Sequence, residues 1–163
     1  VEDEVTSRLR FDIEMLADRL VRVVQWVAHG EETQGLPIAL FGASTGAAAA
    51  LIAAASVPDL VCAVISRGGR PDLADAALPM VKAPTLLIVG GEDRDVLALN
   101  RDALDHLECT KRLTVVPGAT HLFEEPGALD AVARLAASWL STALSPPRNQ
   151  PVAAPRRTPR KGP

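Results

Sequence analysis

Residues 41–46 read F-G-A-S-T-G: Gly42, Ser44 and Gly46 form a G-x-S-x-G, preceded by the apolar run Leu36 to Phe41 and followed by the alanine-rich run Ala47 to Ala55. A strand that ends in a tight turn and continues at once as a helix presents a single hydroxyl at the turn, and that is the context this motif needs. The motif is short, so its neighbours decide whether the reading holds.

Downstream, strands and helices alternate. The helix from Thr45 to about Ser56 is nearly all Ala, Leu and Ile, and Pro58-Asp59 breaks it. Val61 to Ile65 is a second strand, and the R-G-G-R within Ser66 to Pro71 suits a turn at its end. A short helix is expected through Leu73 to Val81, and then a third strand, Thr85 to Val89, stopped by Gly90-Gly91-Glu92-Asp93. A helix from about Leu97 to Leu107 leads to strand four, Leu113 to Val116, which ends at Pro117-Gly118 with His121 just beyond. The last helix, about Pro126 to Leu144, has Leu129, Val132, Leu135, Ala136, Trp139 and Leu140 as its expected buried stripe.

Upstream, Ile13, Leu16, Ala17, Leu20, Val23, Val24 and Val27 follow the i, i+3, i+4 rhythm of an amphipathic helix, with Asp12 as N-cap and Gly30 as stop. Trp26 reads as a packing residue bordering the stripe, and His29 suits the negative end of the helix dipole. The strand Pro37 to Phe41 has no polar alternation and reads as buried on both faces. Strands alternating with helices predict an α/β fold, a mostly parallel sheet of about four strands flanked by helices.

Composition sets bounds. The chain has 163 residues, 48% of them hydrophobic, enough for one domain with a real core. With three Phe, two Trp and no Tyr, that core must come from Ala, Val, Leu and Ile. No apolar run reaches membrane-spanning length and the first residues, V-E-D-E-V, are acidic, so a soluble cytoplasmic protein is expected. Net charge is −3, unevenly spread. Residues 145–163 hold five basic groups, six prolines and no acid, and read as a disordered tail after a domain over residues 1–144. Residues 1–144 hold 12 basic and 20 acidic groups, a surplus that argues against nucleic-acid binding. Cys62, in an apolar run, reads as a buried thiol, and Cys109 lies in a polar turn. Neither has metal-ligand spacing, and no metal or organic cofactor is implied.

In a parallel α/β sheet, functional groups collect beyond the carboxyl ends of the strands. Three such ends carry a candidate: Ser44, Asp93 and His121, separated by 49 and 28 residues. A serine hydroxyl is a weak nucleophile unless a base takes its proton, and His121 is the candidate base. An imidazole needs a partner to fix its tautomer, which Asp93 supplies; Asp95, at the start of the next helix, is the rival acid. The backbone N–H of Thr45 is one oxyanion donor. Taken singly, Ser44 also reads as a helix cap, Asp93 as a turn residue and His121 as a loop histidine; their coincidence at three strand ends favours a triad. His106 reads as solvent-exposed.

The segments L-R-F-D-I-E-M-L-A-D-R-L, F-G-A-S-T-G-A-A-A-A, P-T-L-L-I-V-G-G-E-D-R-D-V-L-A-L-N and V-P-G-A-T-H-L-F resemble the α/β-hydrolase superfamily, in its dienelactone-hydrolase-like branch. The resemblance implies Ser44 as nucleophile, Asp93 as acid and His121 as base. Some relatives of the branch are similar to domains fused to phosphoribosyltransferases, and the resemblance implies a link to such a partner. Two departures stand out. Dienelactone hydrolases proper use a cysteine, so Ser44 points to a generic ester or acyl substrate. In the family, strands and the loop donating a second oxyanion N–H precede the elbow, whereas 36 residues precede Pro37 here. A partial fold is therefore expected, with an open edge at Pro37 to Phe41 through which another chain can associate. The function expected is a serine hydrolase of small carboxylic esters, with an impaired remnant acting as an interaction domain, or an acyltransferase using the same residues, as alternatives.

Overall fold

The computed structural model describes residues 9–145; the tail read at 145–163 lies almost entirely outside them. Four strands, β1 (Ile38–Ala43), β2 (Val61–Arg67), β3 (Thr85–Gly90) and β4 (Lys111–Val116), form one parallel sheet in the order β1-β2-β3-β4. Helices α1 (Ile13–His29), α2 (Thr45–Ser56), α3 (Arg94–His106) and α4 (Ala128–Ala143) flank it. Sequential strands lie side by side because each crossover returns the chain to the same end of the sheet. The predicted α/β architecture is the one found.

One core lies between the sheet and α1, α2 and α3, built from Leu40, Val64, Leu87 and the buried alanines of α2. The other lies between the sheet and α4, where Ala63, Ile65, Leu86, Ile88 and Val116 meet Val132, Ala136 and Trp139. The alternation of β2 and β3 residues between these cores is the two-residue period of a strand covered on both sides. All six residues of β3 are buried. The alanine-rich α2 packs against α1 and over β1 and β2 at once, and its small side chains suit close approach on several sides.

The strand opening the motif behaves differently. Leu40 is buried, but Ala39 and Phe41 are exposed, Phe41 at 54%. The open edge expected here is found, since β1 ends the sheet, but the expectation that the strand is covered on both faces is corrected: α4 packs over β2, β3 and β4. An apolar run shows that a strand avoids charge, not that a neighbour exists to cover it. The other edge, β4, carries the exposed cations Lys111 and Arg112, which blunt it against pairing; β1 has no charged residue.

Other expectations are refined. Asp12 caps α1 through its carboxylate, which accepts from the N–H of Met15 at 3.0 Å. Val23 and Trp26, expected to pack, are 53% and 75% exposed, and Leu129 of α4 is 54% exposed. These residues stand at the borders of their apolar stripes, where no facing element among the described residues covers them. Residues Pro71–Met80 form a 3-10 helix containing Pro79, which has no N–H to continue an α-helix. Cys62 is half-buried rather than buried, and that burial raises its thiol pKa. Cys109 is half-buried too, its Sγ 3.7 Å from the Thr85 hydroxyl. Among the described residues no helix is long and apolar enough to cross a membrane, and no cluster of three or more His, Cys, Asp or Glu forms a metal site.

Candidate active site

Ser44 sits between the last residue of β1 and the first of α2 with φ 50° and ψ −125°. A non-glycine residue with positive φ is strained by roughly 1–3 kcal/mol, and such strain persists only where the surroundings impose it. Here they do. The Ser44 carbonyl accepts from the N–H of Ala47 and from that of Arg70, each at 3.1 Å, and its own N–H faces the Arg67 carbonyl at 3.4 Å. Ser44 occupies the N-cap position of α2, but its side chain makes no capping bond to the helix. Gly42 makes the turn possible: a Cβ there would overlap the Gly46 carbonyl oxygen and lie 2.5 Å from the Ala47 Cα. Gly46 has no such contact, with nothing within 4 Å of where its Cβ would be.

Asp93 and His121 come from the next loops along the same rim. Asp93 ends the turn after β3, and His121 follows β4. Their side chains meet at 2.7 Å, His121 Nδ1 to Asp93 Oδ2. A carboxylate only accepts, so the proton in this contact sits on Nδ1, which leaves Nε2 as the basic nitrogen of the neutral ring. The carboxylate side is sheltered, at 14% exposure against 41% for the imidazole, so the histidine is held from behind and open in front. Asp95, the rival acid, is an exposed residue in the first turn of α3.

Several residues that sequence reading passed over brace these loops. Gly90 allows the acid loop to touch the histidine loop, since a Cβ there would lie 2.6 Å from the Thr120 carbonyl oxygen and overlap that of Ala119. Glu125 accepts from the Thr120 N–H at 3.0 Å and hydroxyl at 2.6 Å, pinning the residue before His121. The hydroxyl bond is the main reason its carboxyl pKa is lowered. Arg67 donates from Nη1 to the Leu122 carbonyl at 3.2 Å and lies over the Phe123 ring at 5.4 Å. Arg70 forms a two-pronged pair with Asp72, at 2.8 and 2.7 Å, which raises its already high pKa. The R-G-G-R turn was visible in the sequence; which group each arginine holds was not. His106 is half-exposed on α3, its ring nitrogen 3.7 Å from Asp102, and takes no part in the site.

Chemically, the rim offers a hydroxyl on a strained turn, an imidazole with a carboxylate behind it, and helix N–H groups at the start of α2 that lack intrahelical acceptors. Comparison with known proteins agrees with this picture at the level of family. The profile of the dienelactone hydrolase family matches residues 4–144. A dienelactone hydrolase structure from Anabaena variabilis is 60% identical, with a TM-score of 0.84, and the match covers 86% of this chain and 65% of that one. A monoacylglycerol lipase from Paleococcus ferrophilus shares the fold at 17% identity and TM-score 0.65, over 78% of this chain and 76% of that one. Among curated proteins, a Mycobacterium tuberculosis H37Rv protein provisionally named a phosphoribosyl transferase is 56% identical over 146 residues, 90% of this chain. The chain spans about a third of that relative's length, 33%.

Proposed function

The chain belongs to the dienelactone hydrolase family, and from that premise we propose that it is a serine hydrolase of small carboxylic esters and related acyl compounds. The observation that carries the reading is the 2.7 Å Asp93–His121 bond on the rim where Ser44 is held at φ 50°. In the proposed reaction His121 Nε2 takes the Ser44 hydroxyl proton as Oγ attacks the acyl carbon. The carbonyl oxygen becomes negative and is met by the Thr45 N–H. His121 then gives its proton to the leaving alkoxide, which departs as the alcohol and leaves an acyl-enzyme on Ser44. Water enters and loses a proton to His121 as its oxygen attacks the acyl carbon; the Ser44 Oγ–acyl bond breaks, His121 returns the proton to Ser44 Oγ, and the acid is released. Asp93 stays ionised throughout, fixing the imidazole tautomer and stabilising its cation. If a second oxyanion donor is missing, the rate should fall about 10²- to 10³-fold, roughly 2.7–4 kcal/mol. Transfer of the acyl group to an alcohol or amine acceptor would use the same residues.

A fluorophosphonate probe tests this directly. Ser44 should be labelled in the native chain, and labelling should vanish in His121→Ala. Folded protein that takes no label at Ser44 would sink the proposal. Phosphoribosyl transfer, named for the mycobacterial relative, we assign to the part of that protein this chain does not match.

A second reading is favoured by the uncharged, half-covered β1 edge: that strand docks an extended segment of another polypeptide by main-chain pairing. The two readings are compatible, because β1 pairs along its length whereas the reacting groups lie beyond its end.

A further inference from the structure

We propose that Asn100 is a positioning residue for the nucleophile, holding the Gly68-Gly69-Arg70 turn against Ser44; the inference rests on the serine hydrolase reading above. Asn100 lies on α3, the helix that starts directly after Asp93, and is 0% exposed. Its neighbours on the same face, Val96, Ala103 and Leu107, are buried and apolar, so a hydrophobic residue at position 100 would satisfy packing alone. An amide is buried there instead, with its Oδ1 unpartnered. Burying an amide with an unsatisfied acceptor costs stability unless the donor side accomplishes something.

The donor side reaches across the fold. Nδ2 donates to the Val96 carbonyl at 2.8 Å, which fixes the side chain against its own helix, and to the Gly69 carbonyl at 2.9 Å, 31 residues away. Both partners only accept, so the NH2 group must face them. Gly69 is followed by Arg70, whose N–H donates to the Ser44 carbonyl. Gly68, on the other side, donates to the Ile88 carbonyl at 2.7 Å. A continuous path of hydrogen bonds and covalent bonds thus runs from the helix that follows Asp93 through Asn100 and the turn to the backbone of the serine. Asn100 touches no substrate in this arrangement. It fixes where the strained Ser44 backbone is held relative to Asp93 and His121.

Removing the donor frees the turn. In Asn100→Leu the buried Gly69 carbonyl loses its side-chain partner, and Arg70 no longer presses its N–H on Ser44. A displacement of the nucleophile by up to about 1 Å lowers kcat by roughly 10- to 100-fold while leaving KM unchanged. The experiment measures two things on the full chain: kcat and KM for a p-nitrophenyl ester, and amide hydrogen exchange at Arg70, with α4 amides as the internal reference. Faster Arg70 exchange together with a kcat loss at constant KM is expected. Unchanged Arg70 exchange overturns the inference, as does faster exchange with wild-type kcat. Should Asn100→Leu not fold, Asn100→Asp keeps the shape and replaces the donor with an acceptor, and the same pattern is expected. If the wild-type chain neither hydrolyses the ester nor takes the fluorophosphonate label, the hydrolase reading fails, and Arg70 exchange alone decides whether Asn100 holds the turn.

Discussion

Replacing Gly42 by alanine should disable the nucleophile turn while leaving most of the fold in place. The added methyl carbon would start 2.5 Å from the Ala47 Cα and 2.7 Å from its nitrogen, where ordinary contact begins near 3.4 Å. Its three nearest neighbours are backbone atoms of α2's first turn, which cannot swing aside as a flexible side chain can. The strand end and helix start must therefore separate by about 1 Å, two residues from Ser44, and such a displacement costs roughly 100-fold in rate. Overpacking of this kind also destabilises by about 1–3 kcal/mol, or roughly 3–10 °C in Tm for a chain of this size. The assay is the rate of fluorophosphonate labelling at Ser44, with thermal unfolding run in parallel. Gly46→Ala is the control: its methyl meets nothing within 4 Å, and alanine suits the helix it starts, so Tm should hold or rise. A Gly42→Ala protein labelled at the wild-type rate with unchanged Tm would refute the geometry of the turn.

Three further outcomes follow from the same structure. Ser44→Gly should end labelling yet raise stability in urea by about 1 kcal/mol, since glycine removes the positive-φ strain at the cost of some chain entropy; a less stable variant would contradict the strain. Glu125 is held below its ordinary carboxyl pKa of 4.5, chiefly by the Thr120 hydroxyl, so its contribution to stability is present above that value and is lost as pH falls through the depressed one. Glu125→Gln should accordingly flatten the acid limb of the stability profile below about pH 5, and an acid limb as steep as wild type's would refute this. Phe41→Lys, at an exposed edge position, should abolish concentration-dependent association in sedimentation while leaving Ser44 labelling unchanged; persistent association would exclude the β1 edge as its surface.

The order of strands and helices, and the rim on which Ser44, Asp93 and His121 lie, were legible in the chain. Helical rhythm, glycine and proline punctuation and the G-x-S-x-G context are local signals, and the parallel arrangement follows because each helix must return the chain to the sheet's starting end. The 3-10 segment at Pro71–Met80 was missed as to type because Pro79 acts on hydrogen bonding, which apolar periodicity does not report. Asn100 was discoverable in part: its spacing from Val96, Ala103 and Leu107 places a polar residue in a buried stripe. What it bonds to was not.

The sequence by itself determined the order of strands and helices, the parallel sheet and the strand ends at which Ser44, Asp93 and His121 fall, because propensity, periodicity and turn chemistry act within a few residues of chain. Only the tertiary structure decided that Phe41 on β1 is uncovered, that Trp26 stands in solvent, and that a buried amide on α3 bonds to the turn beside Ser44. Coverage of a face and the partner of a hydrogen bond depend on which distant segments are brought together, and contacts across 28, 31 or 55 residues are set by sheet register and helix packing rather than by any local pattern.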